Sequence, residues 1–338
     1  MEPSRIAVMM ERTMDRVGFS IYARHLLGDK SILAEYEIQG VEPEQVFPQL
    51  IDGVRKLVEV ANEASGKSHG GVIHMCGLTG LMSNEFVRKP WLDAVARSGF
   101  GNDWSLGFHV NFDHQNLPLA PGFASTYENA MHLCELLDVE AMVLHAPLVK
   151  TTNTDQDWID LMTREDIMDI TRSTNTVLCW ENAQDSIARY RLLENLIEWR
   201  EQLVNELERT GNGDLADRHQ FCFDTGHFLL SLQRDDAPRE ELDNFLPEFA
   251  KHVKVYHIHA NDGTIDQHLV PFMDVVKNHG TMKLPVHVTK FQENSELVLS
   301  MIETCQERSL IHDRHLHVEV DSPSSIDDMA NFYKRYYQ

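Results

Sequence analysis

Acidic and histidine side chains end several short apolar segments of this sequence. These residues are His145, Glu181, Asp224, His259 and Glu319, and His109 lies close to the end of a further segment. Carboxylates and imidazoles bind divalent cations, and gathering several of them away from water is unfavourable unless a cation compensates their charge. If the segments are strands of one parallel barrel, their carboxyl ends converge on the face where barrel active sites are built. The pattern therefore predicts a metal site assembled from residues that are far apart in the sequence.

Each motif also has a simpler structural interpretation. Asp224-Thr-Gly-His227 is compatible with a helix N-cap followed by a surface histidine. His257-Ile-His259 places two imidazoles on one face of a strand, whereas Asp266-Gln-His268 is a weak pattern in a loop. His315 and His317 are as compatible with an exposed position as with a functional one. Because the structural interpretation requires several coincidences at the same end of successive strands, we favour the metal site.

Short apolar runs alternate with longer amphipathic segments along most of the chain, which is typical of repeated βα units around a parallel sheet. The predicted strands are Arg16–Tyr22, Gly71–Cys76, Ser105–Val110, Ala141–His145, Thr176–Glu181, Gln220–Asp224, Lys254–His259 and Leu316–Val320. The predicted helices include Pro43–Glu63, Thr126–Leu137, Ile187–Glu208 and Glu296–Glu307. No Gly-rich nucleotide-binding motif follows the first strand, which weakens the alternative of an open doubly wound sheet. We therefore predict an α/β protein with a (β/α)8 TIM barrel.

One further segment complicates the strand count. Lys283–Thr289 also has the composition of a strand and would make nine. We interpret it as part of an insertion between strands seven and eight, because the helix after it leads directly into His317-Val-Glu319. The alternative, in which Lys283–Thr289 is itself the eighth strand, stays open and would misplace Glu319. Residues 1–338 are expected to form a single domain, with a core over about 16–323 and a closing helix over about 326–337.

Composition and charge limit the classes of function. The 338 residues are 42% hydrophobic, and 30 Lys and Arg against 53 Asp and Glu give a formal net charge of −23. The resulting field repels polyanions and argues against a nucleic-acid partner, although a local basic groove is compatible with it. No run approaches the roughly 20 apolar residues of a membrane span, and the N-terminus lacks a secretory signal. With five scattered cysteines, which suit a reducing compartment, we expect a cytoplasmic protein with no membrane partner. A homo-oligomer is compatible with the sequence.

At its acid and histidine motifs the chain resembles the xylose-isomerase-like barrel superfamily, which includes the endonuclease IV family and related sugar isomerases and epimerases. The resemblance runs in element order from about Arg16 to Pro323. Its specific part consists of Glu181-Asn182, Asp224-Thr-Gly-His227, His259-Ala-Asn-Asp262, Asp266-Gln-His268 and Glu319. The isomerase and epimerase branch implies one divalent metal held by Glu181, Asp224, His259 and Glu319, with His227 facing the substrate.

The endonuclease IV branch implies up to three metals and nine ligands. Carried over to this sequence, these are His109, His145, Glu181, Asp224, His227, His259, Asp266, His268 and Glu319. His114 competes with His109 for the first position. One departure from relatives is that Leu269-Val-Pro-Phe272 replaces a Gly-Glu-Gly segment, and the insertion near 270–293 crowds that loop.

Three functions follow from these motifs. The first is an isomerase or epimerase of a sugar or another small hydroxy-carbonyl compound, using Mn2+, Mg2+ or Zn2+ as cofactor. There Glu181 and Glu319 would transfer protons through a metal-stabilised enediolate, and His227 would anchor a substrate oxygen. The second is a multinuclear phosphoester hydrolase of the endonuclease IV type, acting on a small phosphorylated compound or abasic DNA. The third is a barrel that binds a metal or ligand without turnover.

Overall fold

The computed structural model describes most of the chain in ten ranges. They are residues 15–22, 43–77, 85–98, 104–110, 117–147, 155–183, 189–233, 241–276, 286–319 and 326–338. His114 and the first three residues of the segment Lys283–Thr289 lie outside these ranges.

Eight parallel strands close into one barrel in sequence order, which confirms the predicted (β/α)8 fold. The strands are β1 (Arg16–Tyr22), β2 (Gly70–Cys76), β3 (Trp104–His109), β4 (Ala141–His145), β5 (Val177–Glu181), β6 (His219–Asp224), β7 (Val253–Ile258) and β8 (His315–Val318). Buried parallel strands have helices outside and packed side chains inside, so they appear in the sequence as short, nearly continuous apolar runs.

Each strand is followed by at least one helix among the described residues. The helices are α1 (Pro43–Ser65), α2 (Glu85–Arg97), α3 (Phe123–Leu137), α4 (Asp155–Met162), α5 (Glu165–Arg172), α6 (Leu193–Arg209), α7 (Thr225–Gln233), α8 (Leu246–Phe249), α9 (Val288–Arg308) and α10 (Ile326–Tyr336). The predicted helix Ile187–Glu208 begins later than expected, at Leu193, because Leu192 is extended and a short 3-10 turn, Arg189–Arg191, precedes it.

The eighth strand is His315–Val318. It pairs with β7 on one side and with β1 on the other, which closes the barrel. In the alternative segment Lys283–Thr289, helix α9 already begins at Val288. The prediction that this segment belongs to the connection between strands seven and eight therefore agrees with the described residues.

The hydrophobic core lies between the barrel and its helices. Helix α1 buries Val46, Leu50, Val54 and Leu57 at helical spacing. Burying one such side chain contributes roughly 1.5–3 kcal/mol. Helix α10 seals the seam between the first and last strands, where the Tyr333 hydroxyl hydrogen-bonds the Leu316 carbonyl at 2.7 Å. All five cysteines are buried and free. Among the described helices, none combines the length and apolar character that a bilayer crossing needs.

Candidate metal centre

The nine predicted ligand positions lie at the carboxyl-terminal end of the barrel. His109, His145, Glu181 and Asp224 are the last residues of β3, β4, β5 and β6, and Glu319 directly follows β8. Glu319 is held in line with the sheet because its backbone N–H donates to the Ile258 carbonyl at 3.1 Å. Parallel strands of similar length end in one plane, so side chains separated by many residues meet there.

The first ligand group consists of His109, His145 and Glu181. Their ligand atoms lie within 4.8 Å of one another. Glu181 Oε2 is 3.4 Å from His109 Nε2 and 3.2 Å from His145 Nε2. Two ligands of a tetrahedral Zn2+ at about 2.0–2.1 Å would be about 3.3 Å apart, which matches these separations. His109 Nδ1 lies 2.8 Å from the Val110 carbonyl, so Nδ1 carries the proton and Nε2 offers its lone pair to the group.

The second ligand group consists of His227, His259, Asp266 and His268. Asp266 Oδ2 is 2.7 Å from His268 Nε2 and 3.3 Å from His227 Nε2. His259 Nδ1 is 3.7 Å from Asp266 Oδ1. His227 Nδ1 donates to the Asn182 carbonyl at 3.0 Å, which leaves Nε2 directed at the carboxylate. Each histidine thus presents a ring nitrogen to Asp266.

Between the two groups, Glu181, Asp224 and Glu319 surround a further imidazole. His257 Nδ1 lies 2.7 Å from Glu181 Oε1, 2.6 Å from Glu319 Oε2 and 3.7 Å from Asp224 Oδ2. Asp224 is also 2.9 and 3.0 Å from His259 Nε2 through its two oxygens. The four predicted ligands of a one-metal site are therefore neighbours as well.

The local chain geometry fixes these positions. Asp224 caps helix α7, since its Oδ1 accepts the His227 backbone N–H at 2.6 Å, so the N-cap part of the simpler interpretation is correct, but its surface histidine is wrong because His227 is buried. The Asn182 side chain accepts the Asp224 N–H at 2.8 Å and donates to the Asp224 carbonyl at 3.0 Å. Reciprocal backbone hydrogen bonds between Ala260 and Leu269 close the loop that carries Asp266 and His268. Leu269, the first residue of the segment Leu269–Phe272 that differs from relatives, therefore holds this loop closed.

Burial and the charge of neighbouring groups perturb the acids and histidines. Burial alone would raise the pKa of Glu181, but the imidazoles around it, with His145 first, hold that pKa well below its usual range. Burial lowers the pKa of His145 to about 4. Burial would also lower the pKa of His227, yet Asp224 and Asp266 raise it well above its usual value. The imidazoles therefore favour the ionised form of Glu181, and the carboxylates in turn favour the protonated form of His227, so a metal ion that binds His227 must displace a proton.

The donor set fits divalent metal ions. Among the described residues, Glu181 Oε2 and Asp266 Oδ1 are buried without a hydrogen-bond donor of suitable geometry, and His259 Nδ1 is buried without a partner. The lone pair of His109 Nε2 faces the anionic oxygen of Glu181, so a proton or a metal ion is needed between them. Mixed imidazole and carboxylate ligands suit Zn2+ and Mn2+.

Sequence reasoning overlooked one central residue and misjudged two others. His257 had no predicted role, although its spacing of two from His259 placed both imidazoles on one strand face. His315 and His317 were considered equally compatible with the surface, but both are fully buried inside the barrel. Alternation along a strand does not reveal which face points into a closed barrel, which explains the misjudgement.

Comparisons with known proteins identify the fold. No family model and no curated protein matches the chain. Among solved structures, a D-tagatose 3-epimerase-like protein aligns with a TM-score of 0.55 and 14% identity over 95% of this chain and 96% of its own. A xylose isomerase domain containing protein from Salmonella typhimurium aligns with a TM-score of 0.55 and 11% identity over 94% of both chains. Endonuclease IV from Thermus thermophilus aligns with a TM-score of 0.50 and 14% identity over 95% of this chain and 97% of its own.

The chain has the xylose-isomerase-like barrel fold. The fold that the strand-end resemblance implied is thereby confirmed. The aligned structures include an epimerase-like protein and an endonuclease, so the fold alone does not select between the two chemistries.

Proposed function

We propose that this protein is a metal-dependent hydrolase that holds two or three divalent ions at the barrel mouth and cleaves a phosphoester in a small molecule. The proposal is carried by one observation. Two ligand groups, His109–His145–Glu181 and His227–Asp266–His268, lie at the mouth beside Asp224 and Glu319, and the ligand atoms of each group lie within 4.8 Å of one another. An isomerase with one metal ion would not require all the residues of either group.

The charge of the site supports more than one ion. Four carboxylates converge here: Glu181, Asp224, Asp266 and Glu319, with side chains between 0% and 14% exposed. When His227 and His268 have lost their protons to act as metal ligands, one divalent ion would leave about two negative charges uncompensated in a buried site, which is strongly unfavourable. Two ions balance the four carboxylates, and a third gives the site the positive excess that an anionic phosphoester needs.

When bound, such ions would act as Lewis acids that neutralise phosphoryl charge and make water at the site a stronger acid. The protein supplies the ligand geometry. Val110 and Asn182 accept the Nδ1 protons of His109 and His227 and so orient both rings. Partners of this kind typically contribute 10–100-fold to metal affinity or activity. The negative surface disfavours a DNA substrate, which is why a small phosphorylated compound is proposed.

The one-metal isomerase is the second candidate, and a specific observation supports it. Glu181 and Glu319 approach the same atom, His257 Nδ1, at 2.7 and 2.6 Å, so the two carboxylates that would exchange protons with a substrate are neighbours. Asp224 and His259 complete its ligand set. In this alternative, His227 and Asp266 would contact substrate instead of a second ion.

Counting metals separates the two candidates. We expect two or three ions per chain at the barrel mouth by elemental analysis after the protein is loaded with Mn2+ and desalted. His268→Ala should lower the count by one ion, whereas His132→Ala, which changes a histidine that is 67% exposed on a surface helix, should leave it unchanged. One ion per chain, retained in His268→Ala, would refute the multinuclear site and support the isomerase.

Turnover is tested with generic substrates of each class. The loaded protein should hydrolyse p-nitrophenyl phosphate or bis(p-nitrophenyl) phosphate, and His268→Ala should reduce that rate by at least about tenfold. A panel of aldoses and ketoses followed by chromatography tests the isomerase. Activity on the sugars alone would overturn the proposal, and no turnover in either assay would support the non-catalytic barrel.

A further inference from the structure

Three histidines form a layer inside the barrel beneath the candidate metal centre. His74 belongs to β2, His257 to β7 and His317 to β8, and each is 0% exposed. One ring nitrogen from each lies within 4.8 Å of one from each of the others. The inner layers of such barrels are usually filled by branched apolar side chains, so three adjacent imidazoles require an explanation.

Strand register and a missing side chain build this layer. His257 pairs with His317 across β7 and β8. His74 pairs with Gly107 across β2 and β3. A Cβ atom at Gly107 would lie 2.0 Å from His74 Nε2, so only glycine leaves room for the His74 ring. The absence of a side chain at Gly107 therefore provides the space that the His74 imidazole occupies.

The ring nitrogens of the three histidines divide into two sets. One nitrogen of each ring has a neighbour that orients it: His317 Nδ1 lies 2.9 Å from Ser20 Oγ, and His74 Nε2 lies 3.2 Å from His315 Nδ1. His257 Nδ1 faces the carboxylates of Glu181 and Glu319.

The other nitrogen of each ring is His74 Nδ1, His257 Nε2 or His317 Nε2. Each is buried and has no hydrogen-bond partner among the described residues. A buried polar atom without a partner is unfavourable, so three in one cluster point to a missing ligand.

We infer that His74, His257 and His317 form a second metal site inside the barrel, separate from the ions of the mouth. Three imidazoles select borderline transition-metal ions such as Zn2+, Co2+ or Cu2+ and disfavour Mg2+ and Mn2+. A metal-binding histidine is oriented by a partner on its other ring nitrogen, which is the arrangement that Ser20, His315 and the two glutamates provide here.

Two physical features are compatible with this site. Burial holds the pKa of His74 well below its usual value, so its imidazole is neutral and able to bind a cation. Nitrogen ligands of a tetrahedral Zn2+ are about 3.3 Å apart, so ring nitrogens up to 4.8 Å apart must close by at most about 1.5 Å. The rings of His74 and His317 stack at 3.8 Å and would have to tilt apart for both to bind the same ion.

The site has a direct link to the mouth. His257 presents Nδ1 to the acids above and Nε2 to the layer below, so one ring serves both sites. The negative charge of Glu181 and Glu319 would partly compensate the inner cation through this ring. Because all three histidines are 0% exposed, an ion in the inner layer is shielded from substrate and is expected to have a structural role.

Anomalous diffraction from the wild-type chain tests the site without any mutation. Crystals of the protein loaded with Zn2+ are measured on both sides of the zinc absorption edge. We expect one peak at bonding distance from His74, His257 and His317, in addition to the peaks at the mouth. Peaks at the mouth alone would overturn the inference and leave the proposed hydrolase intact.

Variants provide the second measurement. His74→Asn and His317→Asn should each remove one Zn2+ per chain and leave hydrolysis of p-nitrophenyl phosphate within about twofold of wild type. The matched control is His219→Gln, a buried histidine whose Nδ1 accepts the Trp180 indole N–H at 3.2 Å, and it should keep every ion. Equal metal content in all three variants contradicts the site. If the variants do not fold, the wild-type anomalous map decides alone.

Discussion

Gly226→Ala is the most direct test of the geometry at the barrel mouth. Gly226 follows Asp224 in the first turn of helix α7 and carries no positive backbone φ. On local grounds alone, alanine should stabilise a helix by up to about 1 kcal/mol relative to glycine. The tertiary structure predicts the opposite outcome, because a side chain at this position meets His259.

The size of the effect follows from the contact distance. A Cβ atom at Gly226 would lie 1.9 Å from His259 Cε1 and 2.3 Å from His259 Nδ1, whereas ordinary contacts begin at 3.4 Å. The ring must therefore move by roughly 1.5 Å, away from its 2.9 Å contact with Asp224. Overpacking of this kind costs about 1–3 kcal/mol. A displacement near 1 Å in a catalytic constellation costs about 100-fold in rate.

The assay combines metal content, phosphoester hydrolysis and thermal unfolding. We expect Gly226→Ala to lose at least one bound ion, to lose about 100-fold in kcat/KM and to unfold at a lower temperature. Gly213→Ala is the matched control, because a Cβ atom there meets only Glu208, with Cγ nearest at 3.6 Å. Wild-type metal content and higher stability in Gly226→Ala would refute the placement of His259 against helix α7.

Three further predictions concern charge and metal. Burial would raise the pKa of Glu140, but His315 and Lys254 hold that pKa well below its usual value. The Glu140 carboxylate therefore stabilises the fold above about pH 4.5, and this stabilisation declines as the pH falls. Glu140→Gln should therefore lower the free energy of unfolding by about 3 kcal/mol at pH 7, as measured by urea titration. Below about pH 4 the difference from wild type should be smaller. An equal difference at both pH values would contradict this reasoning. Burial would lower the pKa of His268, but Asp266 raises it to about 9, so an ion binding there at pH 7 must displace a proton. Calorimetry in buffers of different ionisation enthalpy should detect the release of this proton. The affinity for the metal should fall about tenfold for each pH unit below about 9. Metal binding that does not change with pH would exclude His268 as a ligand. Removal of the bound metal with a chelator should lower the unfolding temperature of the protein, and adding the metal back should restore it. A ligand present at about 100 times its Kd stabilises the folded state by about 2.7 kcal/mol. An unchanged unfolding temperature would argue against bound metal.

The sequence by itself determined the kind of fold and the donor set. The eight strands are visible as short apolar runs, and their predicted bounds differ from the structure by no more than a residue or two, as in Gly71–Cys76 against Gly70–Cys76. The ligand side chains are visible because a strand that ends in an acid or an imidazole after an apolar run is conspicuous. Both signals are local, so they survive in a single sequence.

Only the tertiary structure decided how these side chains combine. Choosing His315–Val318 over Lys283–Thr289 required the pairing of one strand with both β1 and β7, which is a long-range property. The histidine layer depends on Gly107 lying opposite His74, and the two ligand groups depend on the angular order of strands around the barrel. Alternation along one strand has a period of two and distinguishes two faces, but barrel closure decides which face is enclosed and which neighbours it meets.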